Sequence, residues 1–472
     1  MTGSPMTESM SDNSFNYAPA DGSQEVYISN TERVLVDDGP ATGNSATKIA
    51  ELIGRDIWRT ADGTLVLPAE LDEAYVEYAA SLGWCPRIIV PEAVDLSNID
   101  ITSGLADYRI QQAVTGSNVT SYVADTRLES FVVRGHGGTY DWGDPSRRPT
   151  ISNSMVGLNG DTVHEIINDK ANIRSLTEGI LQVPEGSVVK GLSAIAEAVR
   201  RRLADSTAEG SGVFVRNTRS GGGFGNARFT PEDAGLDDAA IIAKLTETNQ
   251  EVWKHEVALV EAYDAPRYSP AITMYVGGQK PGMAYHSLQI SRNGDFVGMV
   301  SPTPDHILET GRARHIAAEL CSRLGGLGYR GYAGIDLGVW PETQRMVGYE
   351  INGRRTGSMH PIAIGEGLLG PWEDWQREGH TVKAIDRLYL SREVSFSELH
   401  HMLSKAGLLA TVKKPNGAVI SIPPATNVNG SQRSVAGISV LARGHREARE
   451  LTWQVIEEVG DRKKNWYDDP EV

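Results

Sequence analysis

Cysteine is nearly absent from this chain: Cys85 and Cys321 stand alone, far apart and in no paired spacing. That excludes a disulfide framework and a cysteine-built zinc site, and it makes the reducing cytoplasm the expected compartment. No apolar run approaches the length of a membrane helix, and no charged stretch followed by an apolar one opens the chain, so no membrane association is expected. Basic residues are in deficit, 45 against 61 acidic, for a formal charge of −16. That balance argues against a nucleic-acid partner, although a basic pocket can exist inside an acidic protein. Internal repeats are lacking too. The rest is ordinary for a soluble globular chain, 40% hydrophobic and 22% charged. A length of 472 residues exceeds a single core and predicts roughly two to four domains.

Residues 1–24 are rich in Ser, Asn, Asp, Met and Pro and read as a disordered tail. Val26–Ser29 and Arg33–Val36 read as strands, the second running through a Gly-containing turn into a helix over 45–53 capped by Ser45. A helix over 69–82 and short strands at Arg87–Val90, Val119–Ala124 and Ser130–Val133 complete an α/β region with a parallel sheet. A second region opens at Asn168-Asp169-Lys170, with a helix to about Glu178, a basic amphipathic helix at Ser193–Leu203 and a strand at Gly212–Arg216. Strands follow at Glu256–Glu261, Ala271–Val276 and Ala284–Gln289, then a helix at Arg312–Leu324. From about Ser391 the pattern changes to helix, strand and helix.

Chemistry concentrates in Tyr349-Glu-Ile-Asn-Gly-Arg-Arg-Thr-Gly-Ser358, with Asp336 fourteen residues before Glu350. Side chains two apart on a strand share a face, so Glu350 and Asn352 aim at one place. Asp336 would lie on the neighbouring strand of a hairpin. Two carboxylates and an amide are hard oxygen donors suited to Mg²⁺, which fills its remaining positions with water and phosphate. Arg354 then reaches a phosphoryl group, and Arg355 and Ser358 are candidate substrate contacts. The glycine-rich run Ser220-Gly221-Gly222-Gly223-Phe224-Gly225 lies behind a strand ending in Arg216. It reads either as a flexible loop or as an anion cradle of backbone N–H groups beside a fixed cation. His286 is a core histidine or one aimed at the phosphates or the acceptor.

In this order these landmarks resemble the ATP-grasp superfamily of ligases. The resemblance is close over about residues 165–370 and looser beyond. It implies an α/β fold, α+β in the catalytic part. A pre-ATP-grasp domain spans 25–164, and the ATP-grasp domain spans 165–390, with a nucleotide lobe to about 265 and a metal and substrate lobe from 266. A small C-terminal lobe covers 391–472. It makes Lys170 the first phosphate-binding cation and Arg216 the second, where the family usually has lysine. Glu261, Ala262 and Tyr263 become the adenine hinge, Asp336, Glu350 and Asn352 the magnesium ligands, and ATP and Mg²⁺ the cofactors. Arg354 and Arg292 are the candidates for a charge that some relatives carry on an arginine where this chain has Gly334. The ribose carboxylate has no clear counterpart, since Asp264 comes too early. The whole chain looks most like the pheganomycin-type peptide ligases of actinomycetes. That implies an acyl phosphate made from a small guanidino-bearing acid, attack by a peptide amine, and antibiotic biosynthesis; a homodimer is compatible. A carboxylase-like or purine-pathway ligase and a non-catalytic nucleotide-binding scaffold are the alternatives.

Overall fold

The computed structural model describes residues 25–31, 41–42, 46, 49–50, 52–94, 98–123, 126–136, 139–140, 162–205, 211–219, 225–247, 253, 256–277, 281–292, 295–424 and 435–465. The expected tail, the strand at 33–36 and the cap at Ser45 lie outside them.

Short β-branched and aromatic runs near the N-terminus form a parallel sheet, in the order Arg87–Ile89, Thr64–Val66, Glu25–Ile28, Asn118–Ser121, Thr139–Tyr140. Parallel strands need crossovers, and the intervening helical segments supply them. Helix Glu73–Ser81 starts at Asp72, whose carboxylate accepts from the N–H groups of Ala74 and Tyr75. The strand expected at Ser130–Val133 is instead helical, as Thr126–Glu129 and a wider turn over Ser130–Gly135. Leu128 and Val132 are both wholly buried, and four residues apart they share one helical face. Packing of that face overrides the strand propensity of Phe-Val-Val.

The next region is a four-stranded sheet ordered Asn226–Phe229, Ser211–Asn217, Val257–Asp264, Gly186–Lys190, with antiparallel pairing throughout. Helix Leu192–Asp205 buries Ile195, Val199 and Leu203, one per turn, and leaves its arginines outward. The helix expected to run from 168 to 178 is broken. Val163–Asn168 begins at a capping box formed by Thr162 and Glu165, a tight turn spans Lys170–Asn172, and Ile173–Thr177 follows.

Eight antiparallel strands make the central sheet: Arg345–Asn352, Gly331–Trp340, Pro270–Val276, Gly282–Arg292, Asp295–Ser301, His380–Tyr389, Val435–Arg443 and Gly417–Ile422. Its last two strands come from the segment expected as a small C-terminal lobe, so that segment shares a sheet with the hairpin of Asp336 and Glu350. The N-terminal sheet packs onto the same body, because one apolar cluster runs from Val26, Trp58 and Tyr75 to Ile420 and Leu441. Polar ties accompany it. Trp58 Nε1 donates to the Ser421 carbonyl at 2.8 Å, Tyr75 OH donates to the same oxygen at 2.8 Å, and the Ile420 N–H donates to Tyr78 OH at 3.2 Å.

Trp58→Ala removes a fully buried indole together with one of these ties. We expect a loss of about 3–5 kcal/mol, read as a lower midpoint in urea unfolding followed by circular dichroism.

Candidate active site

The hairpin Gly331–Trp340 and Arg345–Asn352 pairs Asp336 directly with Glu350 and Gly334 with Asn352. The alternation expected from the sequence therefore delivers both carboxylates and the amide to one side of the sheet, where all three line a cavity of about 290 Å³. Asn352 Nδ2 donates to Asp336 Oδ2 at 3.1 Å, and Gln289 Nε2 donates to Asp336 Oδ1 at 2.7 Å. Burial, then the neighbouring charge of Glu350, pushes the Asp336 carboxyl up to about 6, against the pull of Arg354, Asn352 and Gln289. Arg354 Nη2 donates to Asn352 Oδ1 at 2.5 Å, and Arg354 lines the same cavity.

Two cations from the other lobe converge on Glu350. Lys170 Nζ lies 3.5 Å from Glu350 Oε1, and Arg216 Nη1 lies 4.0 Å from Glu350 Oε2. Both basic side chains are buried. Burial lowers the Lys170 ammonium; Glu350 resists, and Arg216 and Arg354 reinforce it. A reciprocal clamp positions the Lys170 turn: the Gly353 N–H donates to Asn168 Oδ1 at 2.9 Å, and Asn168 Nδ2 donates to the Gly353 carbonyl at 3.3 Å. A Cβ on Gly353 would stand 2.9 Å from Ile167 Cγ2, so the close approach needs glycine there.

Arg216 is held by a residue expected only as a backbone hinge. Its Nε and Nη2 both donate to Glu261 Oε2, at 2.9 and 2.6 Å, and its Nη1 donates to the Tyr349 carbonyl at 2.7 Å. The Ala262 N–H is engaged by the Glu185 carbonyl at 2.8 Å, and Tyr263 stacks under the Arg228 guanidinium at 4.3 Å. The expected hinge strand thus spends that amide inside its own sheet. Ser220, Gly221, Gly222, Gly223 and Phe224 lie outside the described residues. The strands at the root of that loop are paired, Asn226 with Arg216, and Asn226 lines the cavity.

Three expected site residues stand elsewhere. His286 is 0% exposed, accepts from the Thr303 N–H at Nδ1 (3.2 Å), contacts Thr310 Oγ1 through Nε2 (3.1 Å) and meets Trp372 edge-on. Burial pushes it down to about 4, which leaves the ring neutral. Arg292 reaches the Lys464 carbonyl and lies over the Tyr389 ring at 5.1 Å. Arg355 lies between the Tyr27 and Tyr332 rings, 5.3 and 5.1 Å from their centroids, and is not among the residues lining the cavity; it follows a bend past the end of the strand at Asn352. For His286 and Arg292 the reason is that neighbours in extended chain point to opposite faces. Ser287, Gln289 and Ser291 face the cavity, so His286 belongs to the apolar side with Leu288 and Ile290. The polar alternation of Ser287, Gln289 and Ser291 was a signal that could have found that wall.

Ser358 does line the cavity, with its hydroxyl 2.9 Å from Tyr285 OH and 3.0 Å from Thr356 Oγ1. Asp264 is paired with Arg345 at 2.6 Å on the surface. A side chain on Gly334 would begin 2.7 Å from Thr356 Cγ2, which explains why no arginine stands there. Sequence reasoning missed Arg55, Tyr122, Asp386 and Arg387, which complete the wall from remote segments.

Glu261→Gln strands the buried Arg216 charge, and we expect it to cost about 3–5 kcal/mol in chemical unfolding. Asp336 binds its proton more tightly in the folded chain, about 6 against an ordinary 3.8, so its cost to stability grows as pH rises between those values and is full above them. In metal-free protein Asp336→Asn should therefore gain ~1–3 kcal/mol at pH 8 and lose that advantage on acidification below the ordinary carboxylate range, as read from thermal melts.

No protein-family model matches the sequence, and no curated protein resembles it by sequence. Solved structures do. The N5-carboxyaminoimidazole ribonucleotide synthetase of Thermus thermophilus is similar with a TM-score of 0.53 at 12% identity, over 93% of this chain and 99% of that one. The biotin carboxylase of Campylobacter jejuni, solved as a β,γ-ATP complex, gives 0.55 at 11% identity, over 93% and 91%. The biotin carboxylase domain of the Hydrogenobacter thermophilus 2-oxoglutarate carboxylase, solved with MgADP, ADP and bicarbonate, gives 0.53 at 11% identity, over 93% and 90%. The chain has the ATP-grasp fold.

Proposed function

We propose that this chain is an ATP- and Mg²⁺-dependent ligase that activates a carboxylate as an acyl phosphate and transfers the acyl group to an amine. The observation that carries the reading is the convergence of two lobes: Lys170 and Arg216 close on Glu350, which shares one cavity with Asp336, Asn352 and Arg354. Nucleotide in the structural neighbours supports it.

The donor set fits Mg²⁺. Asp336 and Glu350 offer carboxylates, Asn352 keeps a second lone pair on its amide oxygen, and a cation beside Asp336 would relieve the repulsion that raises its pKa. Among the described residues no group of three His, Cys, Asp or Glu converges, so the closed cage of a structural zinc is not built, and positions remain for water and phosphate. When bound, the metal would neutralise phosphate charge and so ease attack by an anion. Lys170 and Arg216 would take the rest of the polyphosphate charge, with Arg216 braced by Glu261 so that Nη1 faces inward. Arg354 would face the transferred phosphoryl group. Arg55 and Tyr122, brought in by the N-terminal region, help wall the cavity against water that would hydrolyse an acyl phosphate.

On the resemblance to pheganomycin-type ligases, the acid is amino acid-like with a guanidino group, the acceptor is a peptide amine, and the product bond is a peptide bond. One observation favours a second reading: the structural neighbours are carboxylases and N5-carboxyaminoimidazole ribonucleotide synthetases, so bicarbonate is the competing acyl donor.

Phosphate and ADP release measured with bicarbonate, and then with amino acids, guanidino acids and peptides, separates the two. Glu350→Ala is expected to cut that release by ~100-fold or more, with an unchanged circular dichroism spectrum. Full turnover in this variant removes the metal assignment, and ATP binding without ADP formation by the unaltered chain leaves a nucleotide-binding scaffold.

A further inference from the structure

One carboxylate on the cavity wall has no part in the chemistry above. Asp386 lines the cavity and is 5% exposed. It belongs to strand His380–Tyr389, separated from the Asp336 strand by three others in the central sheet. Asp336 and Glu350 thus mark the polyphosphate end of the cavity and Asp386 the opposite end. A bulge between Ile385 and Leu388 interrupts the pairing of its strand, and with it two consecutive residues, Asp386 and Arg387, line one cavity where a regular strand would send them to opposite faces.

Behind Asp386 stands His360, wholly buried at the start of helix Met359–Leu369, with Nε2 3.4 Å from Asp386 Oδ1. His360 Nδ1 lies 2.9 Å from the Gly357 carbonyl. A carbonyl only accepts, so Nδ1 carries the proton, and in the neutral ring Nε2 presents a lone pair to the carboxylate. Two acceptors then face each other, and neither atom has a hydrogen-bond partner among the described residues. The pair has a place for one proton.

We propose that Asp386, with His360 as its positioning partner, is the base that accepts the proton of the attacking amine. The proposal rests on the ligase reading above. An acceptor amine arrives as an ammonium ion, and Asp386 takes one proton from it, passing that proton to His360 Nε2. The freed lone pair forms the C–N bond to the acyl-phosphate carbon. The C–O bond to phosphate breaks, its electron pair stays on the phosphate oxygen, and the second nitrogen proton leaves with it as hydrogen phosphate. The charged groups around the imidazole are Asp386 from its own strand and Arg55 and Arg59 from the turn Ile53–Arg59. Burial lowers the His360 pKa first, Asp386 opposes, and the two arginines add to the lowering. The geometry thus sets the bare Nε2 of the ring beside the Asp386 carboxyl group, where one proton fits.

Two measurements decide. In the ¹⁵N-labelled full chain, with the His360 ring assigned by comparison with His360→Gln, long-range ¹⁵N–¹H correlation at neutral pH should show Nδ1 protonated and Nε2 bare. Acidification should then protonate Nε2, and at lower pH in Asp386→Asn than in the unaltered chain. A ring protonated at Nε2 across the whole neutral and alkaline range overturns the proposal, whatever the enzyme acts on. The second uses whichever acid supports ADP release and compares a primary alkyl amine with hydroxylamine, which is largely unprotonated at neutral pH and needs no base. Asp386→Asn should slow the alkyl amine reaction by ~100-fold while hydroxamate formation stays near that of the unaltered chain. Equal slowing of both nucleophiles overturns the proposal. Failure of the unaltered chain to turn over any acid counts against the ligase reading alone, and the ring measurement still decides the pair.

Discussion

Glu350 is the point on which the site depends. Its carboxylate meets a buried lysine from the turn Lys170–Asn172 and a buried arginine from the strand Ser211–Asn217 of a different sheet. Two desolvated cations within reach of one another are costly, and the cost is bearable only with counter-charge at hand. Glu261 supplies it for Arg216 and Glu350 supplies it for both. The ionic contact therefore holds the Lys170 turn and the Arg216 strand to the hairpin that carries Asp336 and Glu350; under the proposed function, an incoming polyphosphate would exchange its own charge for that of Glu350 there.

The surrounding scaffold keeps that contact in register. The Asn168 side-chain amide clamps the Lys170 turn to the backbone of Gly353, and the Gly348 N–H, on the strand Arg345–Asn352, donates to the Gln182 carbonyl at 2.8 Å. Farther out, the cavity is lined by residues that no local segment shares: Arg55 from the turn Ile53–Arg59 and Tyr122 just past the strand Asn118–Ser121, Asp386 and Arg387 from a bulged strand of the central sheet. A single apolar cluster spans both sheets and joins the segments that carry this wall. Under the proposed function, an acyl phosphate would need such a wall against hydrolysis.

Local pattern was informative where one periodicity governed the outcome. Glu350 and Asn352 two apart, with Asp336 across a hairpin, needed only the alternation of a strand. The same rule, applied to Ser287, Gln289 and Ser291, also assigns His286 to the apolar face, where it lies between Thr303 and Thr310. The helix over 126–135 was not legible, because Phe131, Val132 and Val133 favour a strand until Leu128 and Val132 find a common core to enter. The shared sheet of the Asp336–Glu350 hairpin and the C-terminal strands was hidden as well, since nothing in 417–443 names its pairing partner.

By itself the sequence determined the oxygen-donor hairpin and the basic residues that precede it, because those follow from spacing along the chain. Tertiary structure alone decided which cations reach Glu350, that Glu261 braces Arg216, and that Asp386 with His360 stands across the cavity from the hairpin of Asp336 and Glu350. Those are contacts between residues tens to hundreds of positions apart, set by sheet pairing and a shared core, and no local periodicity encodes them.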